Sequence, residues 1–196
     1  MRRIVGVLLA AGASTRFGSN KLLAPLADGM PLGVHAAKNL RHALPETLAV
    51  VRDENDELAQ VLRAQGLGIV VNPRAGAGIG TSIASGIAAI GEVDGAVIAL
   101  ADMPCVLPET IAQVAGAIAD GAILAAPYYR GRRGHPVGFA RSVFPILSRL
   151  TGDQGARDLL TRADVTFERL EVDDPGILRD IDSGHDLAVV PVSVQE

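Results

Sequence analysis

The chain has 196 residues, 48% of them hydrophobic and 20% charged, which is enough to bury the core of one soluble globular domain. Its net charge of −4, its 3% of aromatic residues and its lack of tryptophan argue against a nucleic-acid partner, which needs a basic face or stacking side chains. The single cysteine, Cys105, excludes an internal disulfide, and we interpret it as a small buried hydrophobic residue.

The first feature along the chain is an apolar run at residues 4–11, which follows Arg2 and Arg3. A short signal peptide and a buried β-strand both explain such a run. The run is short for a signal peptide, and the residues after it form a motif, so we favour the strand. No other stretch is long enough to span a bilayer. We therefore expect a cytoplasmic protein without a membrane partner.

Apolar runs and helical patterns alternate through the first two-thirds of the chain. The patterns predict strands at 4–10, 48–51, 69–71, 96–101 and 123–126, and helices at 31–43, 53–65, 81–90 and 108–119. Pro31 and Pro108 fit first helical turns, and Thr81 is a candidate N-cap. This β-α-β-α order predicts the α/β class, with a Rossmann-like, mostly parallel sheet and helices on both faces.

The alternation ends at residue 127. We predict a polar turn at 128–133, an extended stretch at 136–139, helices at 141–150, 155–163 and 183–190, and a strand at 166–172. No linker or repeat divides the chain, so the last third is predicted to add a substrate region to a single domain. Ligands of open α/β sheets bind beyond the carboxyl ends of the strands. The loops that leave those ends are the first loop (residues 11–21), the second loop (72–80) and the third loop (101–107).

The first loop has the composition of a phosphate-binding loop. Gly12 and Gly18 let backbone N–H groups approach phosphate oxygens, while Arg16 and Lys21 supply positive charge. The spacing fits neither a P-loop nor the Rossmann G-x-G-x-x-G pattern. An ordinary βα loop with two solvated cations is the alternative on composition alone.

Residues 9–21 as a whole resemble a known signature, L-A-A-G-x-S-x-R-[MF]-G-x-x-K. It is that of the GT-A-like nucleotidyltransferases, and most closely of the MobA/MocA group, which includes the molybdenum-cofactor cytidylyltransferases. The resemblance extends from about residue 4 to residue 188. It implies a GT-A-like fold over residues 1–196, with a nucleotide-binding part at about 1–126 and an acceptor-binding part at about 127–196.

The resemblance also implies roles for the residues of this motif. The nucleotide would be held by Leu9, Ala10, Ala11, Gly12, Ser14 and Lys21. Arg16 and Lys21 would neutralise phosphates in the transition state. The Ala10-Ala11-Gly12 sequence resembles the cytidylyltransferase branch, and so favours CTP over GTP.

The second loop combines Asn72 with the glycines Gly78 and Gly80 and ends at the hydroxyls of Thr81 and Ser82. Helix capping explains one of those hydroxyls without any ligand. In the resembled family this loop closes over the base, so Asn72, Gly78, Gly80 and Ser82 become nucleotide-binding candidates. Many relatives carry serine where this chain has Gly80, which removes one hydrogen bond to the base.

The third loop begins with Asp102-Met103-Pro104, directly after a predicted buried strand. Mg²⁺ takes hard oxygen ligands, commonly one or two carboxylates together with substrate phosphates. A carboxylate that caps the following turn is the alternative. The family has D-M-P at this place, which implies that Asp102 is catalytic and binds Mg²⁺.

The acceptor-binding candidates lie in the last third of the chain. His135 stands in an R-G-H-P sequence, and Arg157 in G-D-x-G-A-R; both resemble family motifs, and a solvated loop tip or helix face explains either without a ligand. Asp180 and Asp182 would share one face of a strand. Asp182 would then join Asp102 at the metal, and Asp180 would lie beside the acceptor; a strand end and a helix cap are the alternative.

Together these features predict a Mg²⁺-dependent transfer of a nucleotidyl group, CMP from CTP, to a phosphorylated acceptor with release of pyrophosphate. Molybdopterin cofactor as the acceptor, and a molybdoenzyme as a protein partner, are implied by the resemblance alone. A guanylyltransferase and a cytidylyltransferase for methylerythritol phosphate or another sugar phosphate are alternatives with the same chemistry. A cofactor-delivery chaperone without turnover and a nucleotide-sensing module are alternatives of another class.

Overall fold

The structure is a computed structural model that describes residues 2–12, 20–153, 156 and 167–182. The site candidates Ser14, Arg16 and Arg157 lie outside the described residues. So do the helix predicted at 183–190 and, apart from residue 156, the helix predicted at 155–163.

One sheet runs through the described part of the chain. Its eight strands are β1 (Ile4–Leu9), β2 (Thr47–Val51), β3 (Gly68–Val71), β4 (Gly95–Leu100), β5 (Leu124–Tyr129), β6 (Arg132–Arg133), β7 (Val137–Ala140) and β8 (Phe167–Glu171). They are ordered β3-β2-β1-β4-β7-β5-β6, and β8 pairs with β5. The pairs β1–β2, β2–β3, β1–β4 and β5–β8 are parallel, whereas β7 is antiparallel to both β4 and β5. The mostly parallel sheet expected from the sequence is confirmed.

Helices cover both faces of this sheet, as predicted. They are α1 (Leu32–Ala43), α2 (Glu57–Ala64), α3 (Ile79–Ala89), α4 (Pro108–Asp120) and the single turn α5 (Phe144–Leu147). One core cluster joins α1, α2 and α4 to the sheet face that carries Leu8, and a second joins α3 and α5 to the face that carries Val7. Leu8 and Val7 are both fully buried, as expected for a strand covered on two sides. Within the described residues, no helix has the length and hydropathy needed to cross a membrane.

Two helices begin away from their predicted first residues. α2 begins at Glu57 because the Asp56 side chain caps it by accepting a hydrogen bond from Ala59 N. α3 begins at Ile79, with Gly78 at the cap position and a backbone φ of +107°. The prediction of Thr81 as the N-cap is therefore wrong, since Thr81 lies inside the first turn.

The predicted helix at 141–150 is also shorter in the structure, where it consists of a 3-10 turn at Arg141–Val143 followed by α5. Pro145 occupies the first turn of α5, a position in which its missing N–H breaks no helical hydrogen bond. Much of the predicted helical stretch is therefore turn or irregular backbone.

The antiparallel strand β7 is the feature that brings the last third of the chain to the site. Val137 pairs with Ile98 near the carboxyl end of β4, so the chain just before β7 reaches the same edge as the third loop. Helix α4 packs on this strand so closely that a Cβ at Gly138 would lie 2.7 Å from Ile118 Cγ1. This arrangement brings His135, which was selected from the sequence, close enough to Asp102 for that charge to act on its imidazole.

Candidate active site

A cleft of about 330 Å³ opens at the carboxyl edge of the sheet, where the three loops meet. Its lining includes Ala11 and Gly12 of the first loop, Gly78 of the second and Asp102 of the third. The remaining described lining residues are Leu9, Lys21, Leu22, Arg52, Ala75, Gly76, Ile79, Ser82, Leu100 and Asp153. The volume is in the range of small-molecule sites. The three loops selected from the sequence therefore meet at one place.

Not every nucleotide-binding candidate faces the cleft. Leu9 and Ala11 line it, whereas Ala10 points to the opposite sheet face and is buried in the core that contacts α1. The alternation along a strand produces this difference.

Lys21 lies at one end of the cleft and holds two predicted metal ligands together. Its ammonium is 3.0 Å from Asp102 Oδ2 and 3.2 Å from Asp182 Oδ1, and it donates to the Ile181 carbonyl oxygen at 2.9 Å. The Lys21 side chain is 15% exposed, against 28% for Asp102 and 63% for Asp182. Three oxygen atoms from two distant segments thus converge on one cationic atom.

The charge of Lys21 is stable in this position. Burial acts to lower the pKa of its ammonium, but the charges and hydrogen bonds of Asp102 and Asp182 outweigh burial and raise the pKa above its ordinary value. The side chain is therefore fully protonated at neutral pH. It can neutralise phosphate oxygens at the end of the cleft that carries the carboxylates.

The donor set at this end of the cleft fits a divalent cation. Asp102 and Asp182 offer hard carboxylate oxygens and already share one positive partner. Among the described residues, no three His, Cys, Asp or Glu side chains form a closed metal cluster. Two carboxylates with the rest of the coordination supplied by substrate and water is the arrangement that Mg²⁺ commonly takes.

Asp180 and Asp182 are not on one strand face, contrary to the prediction. Residues 179–182 form no described strand, and only Asp182 of the two reaches Lys21. Asp180 is exposed. It lies close enough to His135 for its charge to oppose the overall lowering of the pKa of that imidazole.

The second loop is organised by the buried amide of Asn72. Asn72 Nδ2 donates to Thr81 Oγ1 at 2.9 Å and to Ser82 Oγ at 3.0 Å, and its Oδ1 accepts from Arg74 N at 3.0 Å. Asn72 is 1% exposed and does not line the cleft, whereas Ser82 does. Asn72 therefore shapes the loop from behind.

Gly78 and Gly80 of the second loop have no room for a side chain. Gly80 N donates to the Gly152 carbonyl oxygen at 2.9 Å, and a Cβ at Gly80 would lie 2.9 Å from Thr151 O. A Cβ at Gly78 would overlap the Gly152 backbone. The segment that packs here ends at Asp153, which lines the cleft. A serine at position 80 is therefore disfavoured by packing.

His135 is held by its backbone and is largely buried. Its N–H donates to the Ile177 carbonyl oxygen at 3.0 Å, and its Nδ1 is buried without a hydrogen-bond partner among the described residues. Burial, and then the charge of Arg133, lower the pKa of the imidazole, against the opposing charges of Asp102 and Asp180. The lowered pKa favours the neutral form of the imidazole.

Two residues at this edge were not selected from the sequence. Arg52 directly follows β2, lines the cleft, and donates from Nε to the Ala11 carbonyl oxygen at 2.7 Å. The sheet order could have identified Arg52, because β2 lies beside β1 and the loop that follows β2 must reach the same edge. Asp174 is buried behind the site, and the Asp173-Asp174-Pro175 sequence indicates only a turn.

The sheet order with its antiparallel β7, together with the cleft at the carboxyl edge, matches the fold of the GT-A-like nucleotidyltransferases. A sequence model of the MobA-like NTP transferase domain matches residues 6–167, and the chain belongs to that family. The family expected from residues 9–21 is thereby confirmed.

Relatives match over almost the full chain. The purine catabolism protein PucB of Bacillus subtilis (strain 168) is 31% identical over 198 residues, covering 95% of each chain. The nicotine blue oxidoreductase of Paenarthrobacter nicotinovorans is 30% identical over 190 residues, covering 92% of each. Rv0371c of Mycobacterium tuberculosis H37Rv, a solved structure, is 28% identical with a TM-score of 0.79, covering 94% of this chain and 95% of its own. A further structure of Rv0371c is a complex with manganese, with a TM-score of 0.76, 28% identity and the same coverage.

Proposed function

We propose that this nucleotidyltransferase moves CMP from CTP to the terminal phosphate of a phosphorylated small molecule, with molybdopterin cofactor as the acceptor, and releases pyrophosphate in a Mg²⁺-dependent reaction. One observation carries the proposal. Lys21 joins the carboxylates of Asp102 and Asp182 beside a cleft that Ala11 and Gly12 of the first loop help to line.

The chain's own groups act by binding and orientation. An oxygen of the acceptor phosphate attacks the α-phosphorus of the nucleotide, the new P–O bond forms, and the bond to the β-phosphate oxygen breaks as pyrophosphate leaves. The acceptor phosphate is already an anion at pH 7, so no general base is required. Lys21 and the backbone N–H groups of the first loop offset the negative charge that spreads over the phosphates.

The carboxylates of Asp102 and Asp182 would hold the metal ion beside Lys21. The positive charge of an ion held there would offset the negative charge that develops on the leaving pyrophosphate. The manganese complex of Rv0371c supports a divalent cation in a similar protein. Arg16 adds a second cation in this proposal, on the resemblance of residues 9–21 to the family signature.

The choice of CTP and of a pterin acceptor rests on the sequence resemblance. Ala10-Ala11-Gly12 resembles the cytidylyltransferase branch, and the motifs around His135, Arg157 and Asp180 resemble those of the acceptor side. His135 lies close enough to Asp102 and to Asp180 for both charges to act on its imidazole, which supports an acceptor side next to the proposed metal. A molybdoenzyme that receives the product is the corresponding protein partner.

The test is pyrophosphate release with each of the four NTPs, with and without Mg²⁺, in the presence of molybdopterin-type acceptor. We expect Mg²⁺-dependent release that is strongest with CTP. Stronger release with GTP would keep the reaction and reject the base assignment. Nucleotide binding without release from any NTP would reject the proposed acceptor or the catalytic function.

Asp102→Ala provides the matching test of the metal assignment. We expect the variant to lose turnover, because one of the two carboxylates beside Lys21 is gone. Asp120→Ala is the control, since Asp120 is an exposed carboxylate at the end of α4. Full activity in Asp102→Ala would refute the assignment.

A further inference from the structure

A buried carboxylate outside the cleft fastens the segment that carries Asp182. Asp174 is 2% exposed and accepts three hydrogen bonds. Its Oδ2 accepts from Leu107 N at 2.9 Å and from Thr110 Oγ1 at 2.8 Å, and its Oδ1 accepts from Gly176 N at 2.9 Å. Leu107 ends the third loop at the N-cap position of α4, Thr110 lies in the first turn of α4, and Gly176 belongs to the 174–182 segment itself. Asp174 therefore ties that segment to the element that follows Asp102.

The 174–182 segment continues from Asp174 to the catalytic carboxylates through a series of contacts. Ile177 O accepts from His135 N at 3.0 Å. Ile181 N donates to Asp102 O at 3.0 Å, and Ile181 O accepts from the Lys21 ammonium at 2.9 Å. The side chains of Ile177 and Ile181 are fully buried. The path of this segment therefore sets where Asp182 stands relative to Lys21 and Asp102.

The segment has little room to move as a unit. A Cβ at Gly176 would overlap the Cys105 carbonyl, and a Cβ at Gly134 would overlap the Ile177 carbonyl. Backbone from the third loop and from the approach to β7 thus lies against the segment on two sides. Because close-packed elements transmit displacements to their neighbours, a shift at Asp174 would also displace Asp102 and His135.

We propose that Asp174 is a positioning residue for nucleotidyl transfer. It contacts neither nucleotide nor metal in this proposal, and it acts by fixing the 174–182 segment so that Asp182 and Ile181 O meet Lys21 and Asp102. The inference rests on the proposed function, in which Asp102 and Asp182 hold the divalent cation. A residue with a merely structural role would alter the stability of the protein and leave metal affinity and turnover of the folded molecules unchanged.

Asp174→Asn is the direct test, because the amide has the size of the carboxylate but only one accepting oxygen. Whichever way the amide turns, it directs an N–H group at Leu107 N or at Gly176 N, and one backbone donor loses its acceptor. We expect the affinity for Mn²⁺, measured by electron paramagnetic resonance with Mn²⁺ alone, to fall by up to about 10-fold, the lower end of the range for residues that hydrogen-bond a metal ligand directly. We expect kcat to fall while KM for CTP changes much less, since the lining loops keep their contacts.

Thr110 supplies a milder pair of variants that leaves Asp174 in place. Thr110→Val keeps the shape of the side chain and removes the hydroxyl that donates to Asp174, whereas Thr110→Ser keeps the hydroxyl. We expect Mn²⁺ affinity and kcat to fall in Thr110→Val and to stay near the wild-type values in Thr110→Ser. This pair tests the inference if Asp174→Asn does not fold.

The outcomes separate the positioning role from the proposed function. A lower Tm with unchanged Mn²⁺ affinity and unchanged kcat per folded molecule would show that Asp174 is structural and overturn the inference. Weaker Mn²⁺ binding in Asp174→Asn and Thr110→Val, in a protein that releases no pyrophosphate from any NTP, would support the positioning role and reject the proposed reaction. Mn²⁺ binding that Asp102→Ala leaves intact would reject the metal site, and the inference with it.

Discussion

Lys21 is less exposed than a typical surface lysine and makes more polar contacts. Its ammonium contacts two carboxylates and a backbone carbonyl oxygen, with 15% of the side chain exposed. Holding a long side chain in one geometry carries an entropy cost that surface ion pairs seldom recover. Lys21 makes three contacts with oxygen atoms and is mostly buried, so the entropy cost of ordering its side chain is shared among three interactions. The ammonium is therefore pre-oriented at the cleft.

Lys21→Ala should therefore impair turnover strongly. The variant loses the cation that faces the phosphates and leaves Asp102 and Asp182 without their shared partner. We expect kcat to fall about 100- to 1,000-fold, the usual loss for one transition-state donor. Lys38→Ala is the matched control, since Lys38 is exposed on α1 away from the cleft. Steady-state pyrophosphate release measures both, and equal activity of the two variants would contradict the role of Lys21.

The lowered pKa of His135 makes the free energy of unfolding depend on pH. Burial and Arg133 lower its pKa in the folded state, whereas the unfolded chain binds a proton near the ordinary value of about 6.5. The unfolded state therefore holds more protons below that pH, and the free energy of unfolding falls as the pH drops through about 6.5. Urea titrations at about pH 7.5 and about pH 5.5 should show a smaller difference in His135→Gln than in the wild type.

The exposed His42 provides the control for this pH effect. His42→Gln should keep the wild-type difference in unfolding free energy between the two pH values, because its imidazole has no buried, unpartnered nitrogen of the kind found at His135. An equal change in both variants would show that the pH effect does not come from His135.

At the scale of elements, the sequence was sufficient for features with a local cause. Continuous apolar runs predicted β1 and β4, and the loops after β1, β3 and β4 were selected because ligands bind at carboxyl ends. The start of α3 was missed because Gly78, with φ at +107°, takes the cap position that a hydroxyl was expected to fill. Hydroxyl residues at a helix start are equally suited to other partners, and Thr81 receives the hydrogen bond of Asn72.

Features with a distant cause could not be predicted from one sequence. The antiparallel placement of β7 depends on pairing with β4 and β5, and a short extended run does not reveal its partners. The role of Asp174 could not be predicted for the same reason, because its donors Leu107 and Thr110 are more than 60 positions away in the chain. Arg52 was within reach of prediction once β2 was placed beside β1.

Gly80 allows a test of the contact between the second loop and residues 151–153. A Cβ at Gly80 would lie 2.9 Å from Thr151 O, which is backbone and cannot rotate away. Gly80→Ala should lower the free energy of unfolding by about 1–3 kcal/mol through overpacking, less up to about 1 kcal/mol gained from helix propensity. It should also raise KM for CTP, because Gly78 and Asp153 line the cleft on either side of this contact.

Gly76→Ala is the control within the same loop. A Cβ at Gly76 would meet no atom within 4 Å, and the residue does not have a positive φ. Its unfolding free energy should stay near the wild-type value. An equal loss of unfolding free energy in the two variants would show that the second loop responds to any added side chain, without a specific contact to residues 151–153.

At the scale of the molecule, the two parts proposed for the chain share one sheet. Strand β7 lies between β4 and β5, and β8 extends the sheet beyond β5. The strands after residue 127 thus complete hydrogen bonds of strands before it. Helix α4 packs on both β4 and β7, which places the same core on each side of the proposed boundary. From this shared sheet and core we predict that residues on both sides of position 127 fold as one cooperative unit.

This arrangement predicts that the protein unfolds as one unit in urea. Helices α1 to α4 all precede residue 127 and dominate the circular dichroism signal of the described helices. The tyrosines Tyr128 and Tyr129 lie at the boundary, and Tyr128 contacts the Phe167 ring at 6.2 Å and Arg169 at 4.1 Å, so their fluorescence reports the docking of β8. The two signals should change at the same urea concentration, as a two-state transition requires.

A fragment that ends at residue 126 should stay unfolded, because β4 would lose its pairing with β7 and expose Val97 and Ile98 on an open edge. Separate transitions, or a stably folded fragment, would mean that the two parts are independent and that the acceptor side is added to a complete nucleotide-binding domain.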